Sequence, residues 1–113
     1  MKMDDYQEQS GQTAMYPEMG TNIHYPTMKL CGEAGEFAEK VSKLWRNQNK
    51  KDIKQYTEEE TYQLALELGD GLWYIQELAT ALGYKLSEIA QINLDKLRSR
   101  ANRGVIKSEG DNR

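Results

Sequence analysis

One cysteine, one histidine and one phenylalanine are all that the 113 residues hold of those types. A single thiol cannot build an internal disulfide framework. Cys31 falls in an apolar stripe and is expected to be a buried thiol. A single imidazole, His24, disfavours an iron or zinc centre. No run of 18 apolar residues occurs, so no membrane span is expected. The charged start Met1–Tyr6 leads into no apolar segment, so no leader peptide is expected and the cytoplasm is the expected compartment. Net charge is −3, which argues against the basic face of a nucleic-acid-binding module.

What is present is helical periodicity. Four segments carry it: roughly Asp4–Met15, Pro26–Asn47, Thr57–Leu82 and Leu86–Asn102. Pro17 and Gly20 punctuate after the first. "TEEE" at Thr57–Glu60 is a capping box that opens the third, and Gly83 is placed to end it in a left-handed conformation. Asn47–Tyr56 reads as a polar, basic linker, and no strand is apparent. The expectation is an all-α fold, a small four-helix bundle-like protomer, as one domain over 1–113 with a flexible tail from about residue 103.

The two long segments share a layout. With 100° per residue, Leu30, Ala34, Phe37, Val41 and Leu44 form a stripe on the second segment, and Leu64, Leu68, Leu72, Ile75 and Leu78 form one on the third. Glu33 and Glu36 flank the first stripe as Glu67 and Asp70 flank the second. A constant offset of 34 residues carries Leu30 to Leu64, Glu33 to Glu67, Gly35 to Gly69 and Glu36 to Asp70. An antiparallel pair would bring both acid pairs to one cleft, and the glycines would let the backbones approach. Two carboxylates about 6 Å apart repel by roughly 3 kcal/mol at an effective dielectric of 20. Four would favour a divalent cation with oxygen ligands: Mg²⁺, Mn²⁺ or Ca²⁺. The plainer alternative is a solvated helix face, with Lys40 and Lys43 paired to Glu36 and Glu39.

The fourth segment supplies the opposite charge. Lys96, Arg100 and Arg103 follow one another along one shoulder, and Asn93 lies within the apolar side, where its amide needs a partner. Arginine suits bidentate phosphate contact and lysine a point charge. A solvated basic helix end is the alternative.

Together, "GEAGEFAEK", "ELGDGLWYI" and "NLDKLRSRANRG" resemble the MazG-type all-α nucleoside triphosphate pyrophosphohydrolases, from about Tyr16 onwards. Gly32 stands where that family has its first glutamate. The resemblance implies Mg²⁺-dependent cleavage of NTP or dNTP to monophosphate and pyrophosphate, with Mn²⁺ a possible substitute. Glu33, Glu36, Glu67 and Asp70 would hold the metal, with Glu36 assigned as general base. Asn93, Lys96 and Arg100 would contact the phosphates. Trp45 and Trp73 are the candidates for stacking on the base. Tyr62, Leu66 and Trp73, opposite the main stripe, are first read as a subunit interface, in keeping with the family's dimers and tetramers. Arg103, Lys107 or Arg113 could close over the phosphates, or the tail is a loose end. No nucleic-acid polymer or membrane is an expected partner. Two alternatives stay open: a narrower dCTP, dUTP or modified-nucleotide substrate, and a non-catalytic metal-binding adaptor that has lost function at Gly32.

Overall fold

The computed structural model describes residues 1–104. Four helices occur among them: α1 (Met3–Gly11), α2 (His24–Gln48), α3 (Glu58–Leu82) and α4 (Leu86–Asn102). A single 3₁₀ turn, Ile53–Gln55, lies in the basic linker, and the described residues contain no strand. The all-α expectation holds.

Local chemistry sets the boundaries. Thr57 Oγ1 accepts from the Glu60 amide at 3.1 Å while Glu60 Oε1 accepts from the Thr57 amide at 2.9 Å. That is the reciprocal box read from the sequence, and it satisfies two otherwise orphaned donors. Gly83 ends α3 at φ +84°, where a side chain would be strained. Asn49 ends α2 in the same left-handed region, and the Lys50 amide reaches back to the Leu44 carbonyl at 3.1 Å. The first segment is shorter than expected, stopping at Gly11 rather than Met15.

The linker folds α2 back along α3, and this antiparallel pair is the main packing unit. α1, which buries no residue of its own, is held by polar contacts. Asp4 accepts from the amide and hydroxyl of Ser87 at 2.9 and 2.7 Å, and Gln7 Oε1 accepts from the Leu86 amide at 2.7 Å. α1 thus caps the N-terminus of α4. α4 packs on α1 and α3, but among the described residues α2 and α4 do not pack on each other.

The single chain therefore has a thin core. Among the described residues, its buried apolar side chains are Ala14, Pro26, Leu64, Ala79 and Leu86. The stripe of α3 is only partly covered: Leu68 is 62% exposed, and Leu72 and Ile75 also remain open. The radius of gyration, 16.9 Å, exceeds the about 13 Å of a compact domain of this length. Cys31, expected to be buried, is exposed. The glycines also need another explanation: a Cβ at Gly32, Gly35 or Gly69 would meet nothing within 4 Å. Close backbone approach is not their role in this chain.

Candidate active site

The shoulders of α2 and α3 meet as the 34-residue offset implies. Oxygen atoms of Glu33, Glu67 and Asp70 all lie within 4.8 Å of one another. Two helices are needed to do this, since Glu33 comes from α2 and the other two from α3. Glu36 is exposed and lies outside this group of three, but near enough that its charge acts on Glu33.

The electrostatics are those of crowded acids. Burial, then the charge of Glu36, push the Glu33 carboxyl up to about 7, and the facing carboxyls of Glu67 and Asp70 add to the shift. Glu67 goes the other way, because the hydrogen-bonded ammonium of Lys40 holds it below the ordinary carboxylate range. Lys40 Nζ is 2.6 Å from Glu67 Oε1. The sequence suggested Glu36 as the partner of Lys40; its ammonium instead reaches across to Glu67 on α3. Lys43 does pair with Glu39, at 3.6 Å on the solvent side.

Glu33 Oε2 and Glu67 Oε2 are buried and have no hydrogen-bond partner. A buried acceptor left unmade is costly, and here two such acceptors face a third carboxylate. Hard oxygen donors from two rigid helices suit Mg²⁺ or Mn²⁺. The donor set fits.

Beside the acids stands an aromatic wall. Glu33, Asp70, Trp73 and Tyr74 line a cavity of about 370 Å³. Trp73 meets Tyr74 edge to face at 4.9 Å between centroids, Tyr74 meets Tyr25 at 6.3 Å, and Tyr25 stacks on Tyr16 at 4.7 Å. Trp73 Nε1 donates to Thr13 Oγ1 at 2.9 Å. Trp73 is therefore packed within its own chain, whereas Tyr62 and Leu66 are exposed. Burial raises the Tyr74 phenol, and the nearby Tyr25, Glu33 and Asp70 raise it further. Trp45 does not belong to this wall. It is 59% exposed and lies twelve residues beyond Glu33, about 18 Å along α2.

Sequence reasoning missed Tyr25 and Tyr74 and gave Lys40 only as a surface partner of Glu36, although the signal was available. Tyr74 follows Asp70 by four residues, Tyr25 precedes Glu33 by eight and Lys40 follows it by seven, all helical repeats of one face. Asn93, Lys96 and Arg100 sit on α4, and Asn93 is exposed rather than partnered inside the apolar side. The strongest influences on Glu33 and Glu67 come from α2 and α3, with no α4 group among them. Lys107 and Arg113 lie outside the described residues.

Among the described residues no helix is long and apolar enough to cross a membrane. No solved structure matches the chain. It is 44% identical to the Gene 37 protein of Mycobacterium phage L5, with all of both chains covered. The profile of the MazG nucleotide pyrophosphohydrolase domain matches residues 24–105, the span that holds α2, α3, α4 and every carboxylate of the cluster. The chain belongs to the MazG nucleotide pyrophosphohydrolase family.

Proposed function

We propose that the protein hydrolyses nucleoside or deoxynucleoside triphosphates, with Mg²⁺, to the monophosphate and pyrophosphate. The observation that carries this reading is the group of three carboxylates with two buried, unpartnered oxygens, in a chain of this family. Glu33, Glu67 and Asp70 would hold Mg²⁺, which when bound supplies charge neutralisation for the polyphosphate and makes water a better nucleophile. Mn²⁺ would substitute, having the same preference for oxygen.

The chain's own residues do the remaining work. Glu36, exposed at the rim of the cluster, accepts the proton of the attacking water. Trp73 and Tyr74 offer ring faces next to Asp70 for a nucleobase, a role the position of Trp45 does not suit. Asn93, Lys96 and Arg100 take the phosphates, and positioning with charge balance provides most of the rate. α4 does not pack on α2 within one chain, so the reading includes a homodimer or homotetramer. The exposed Leu68, Leu72 and Ile75 are apolar surface for such contacts. A soluble, cytoplasmic enzyme without a nucleic-acid or membrane partner completes the reading.

The test is product analysis. A panel of NTPs and dNTPs is incubated with Mg²⁺ or with a chelator and resolved by chromatography or phosphorus NMR. Monophosphate plus pyrophosphate, formed only with the metal, is the expected result. Diphosphate plus orthophosphate would overturn the reading, and no turnover of any nucleotide would favour the metal-binding adaptor.

A further inference from the structure

The cluster crowds negative charge. Three carboxylates face one another, and Lys40 neutralises one oxygen of one of them. Glu67 is 9% exposed, its Oε1 is taken by the Lys40 ammonium at 2.6 Å, and its Oε2 is buried without a partner. An ammonium is a compact point charge on a flexible stem. It sits on the carboxylate whose other oxygen, Oε2, is open to a divalent cation, and two positive charges on one carboxylate repel.

Lys40 also has somewhere to go. A cavity of about 390 Å³ opens beside it along the α2/α3 groove, lined by Lys43, Leu44, Asn47, Gln63 and Leu64 among others. Lys40 itself lines this space, so its flexible stem already borders the place its ammonium would move to. Lys43, one turn further, is already committed to Glu39 on the solvent side and does not compete for the acids.

We infer that Lys40 is a built-in competitor for the metal: its ammonium holds Glu67 in the metal-free chain and is displaced into the adjoining cavity when a divalent cation enters. The inference rests on the metal-dependent reading above and adds a device to it. Lys40 keeps the crowded acids folded together when metal is scarce and sets the concentration at which the site loads. It is a positioning residue, acting through Glu67.

Two measurements test the exchange without any nucleotide. The first is calorimetric titration of MgCl₂ into wild type and Lys40→Met at constant ionic strength. Lys40→Met should bind Mg²⁺ about fivefold more tightly, the scale of losing one partly exposed competing ion pair. The second needs no variant. Wild type is acetylated with an amine-reactive ester, with Mg²⁺ or with a chelator, and the lysines are read by peptide mass. Mg²⁺ should raise Lys40 labelling several-fold while Lys43 stays unchanged. Equal or weaker Mg²⁺ binding by Lys40→Met, or labelling of Lys40 indifferent to Mg²⁺, overturns the exchange while leaving the metal site standing. Absence of Mg²⁺ binding in both proteins overturns the metal site itself and the exchange with it.

Discussion

Glu67 and Glu77 lie ten residues apart on α3 and are buried to nearly the same degree, 9% and 6% exposed. Their surroundings differ. Glu77 Oε1 accepts the Tyr16 hydroxyl at 2.6 Å and its Oε2 accepts the Gln76 amide at 3.0 Å. Every oxygen of that carboxylate has a donor, and the result is a tether that fixes the segment after α1 to α3. Glu67 has one donor, one orphaned oxygen and two further acids against it. Burial of a charged group is therefore not what marks a site here. The mark is burial with acceptors left open, because a fold that had only stability to serve would have closed them.

The largest effect should come from breaking the open side. Asp70→Asn keeps the shape of the side chain and removes a charge from the group of three. Pyrophosphate release should fall by roughly 100- to 1,000-fold, as when one preorganised electrostatic contact is lost. The fall should appear in turnover far more than in substrate affinity. Glu77→Gln, on the closed side, should leave turnover within a few-fold. Equal losses at both positions would erase the distinction.

Next in size is the response to metal. A ligand at 100 times its dissociation constant adds about 2.7 kcal/mol to the folded state. Melting in saturating Mg²⁺ should therefore exceed melting in chelator by several degrees, and Glu67→Gln should remove most of that gap. Identical curves for the wild type in both conditions would mean that the open oxygens do not receive a cation.

The closed side has its own test. Tyr16→Phe keeps the ring stacked on Tyr25 but leaves Glu77 Oε1 without its donor. An unsatisfied buried acceptor costs about 1–3 kcal/mol, so chemical denaturation should show a loss of that order. The Mg²⁺ shift should survive unchanged, since no atom of the cluster is touched. A loss of the metal response in this variant would show that the two sides act as one.

These contrasts also explain what the sequence could disclose. The Thr57–Glu60 box, the Gly83 cap and the shoulders that hold Glu33, Glu67 and Asp70 were legible because each depends on spacing along one helix. A helical wheel gives an angle but not the neighbour that covers it. Cys31 and Leu68 lie on apolar stripes and still emerge exposed, because a single partner helix covers only part of a stripe. Trp73 was read first as part of a subunit interface, but Thr13 and Tyr16 of the segment after α1 meet it within the chain, and spacing along α3 could not point to partners about 60 residues earlier. The difference between Glu67 and Glu77 was equally hidden, since Tyr16 is 61 residues from Glu77 and Lys40 is on another helix.

The smallest effect, and the most specific, is the dependence on pH. Glu33 is held up to about 7, first by burial and then by the acids around it. Its folded value lies above that of the unfolded chain. The stability contributed by its proton is thus fully present below the ordinary carboxylate value and lost as pH rises through about 7. In chelator, the melting temperature should decline between pH 5 and pH 8. Glu67, held low by Lys40, contributes nothing to that window, because its stability is lost only as pH falls below the ordinary range. Metal reverses the trend, since a carboxylate must lose its proton to become a ligand. The Mg²⁺ shift should therefore grow as pH rises through about 7, with apparent affinity changing by up to about tenfold per unit below it. Glu33→Gln should flatten both curves, while Glu77→Gln should leave both slopes in place. A Mg²⁺ shift of equal size at pH 5 and pH 8 would remove Glu33 from the ligand set and leave Glu67 and Asp70 to hold the cation from α3 alone.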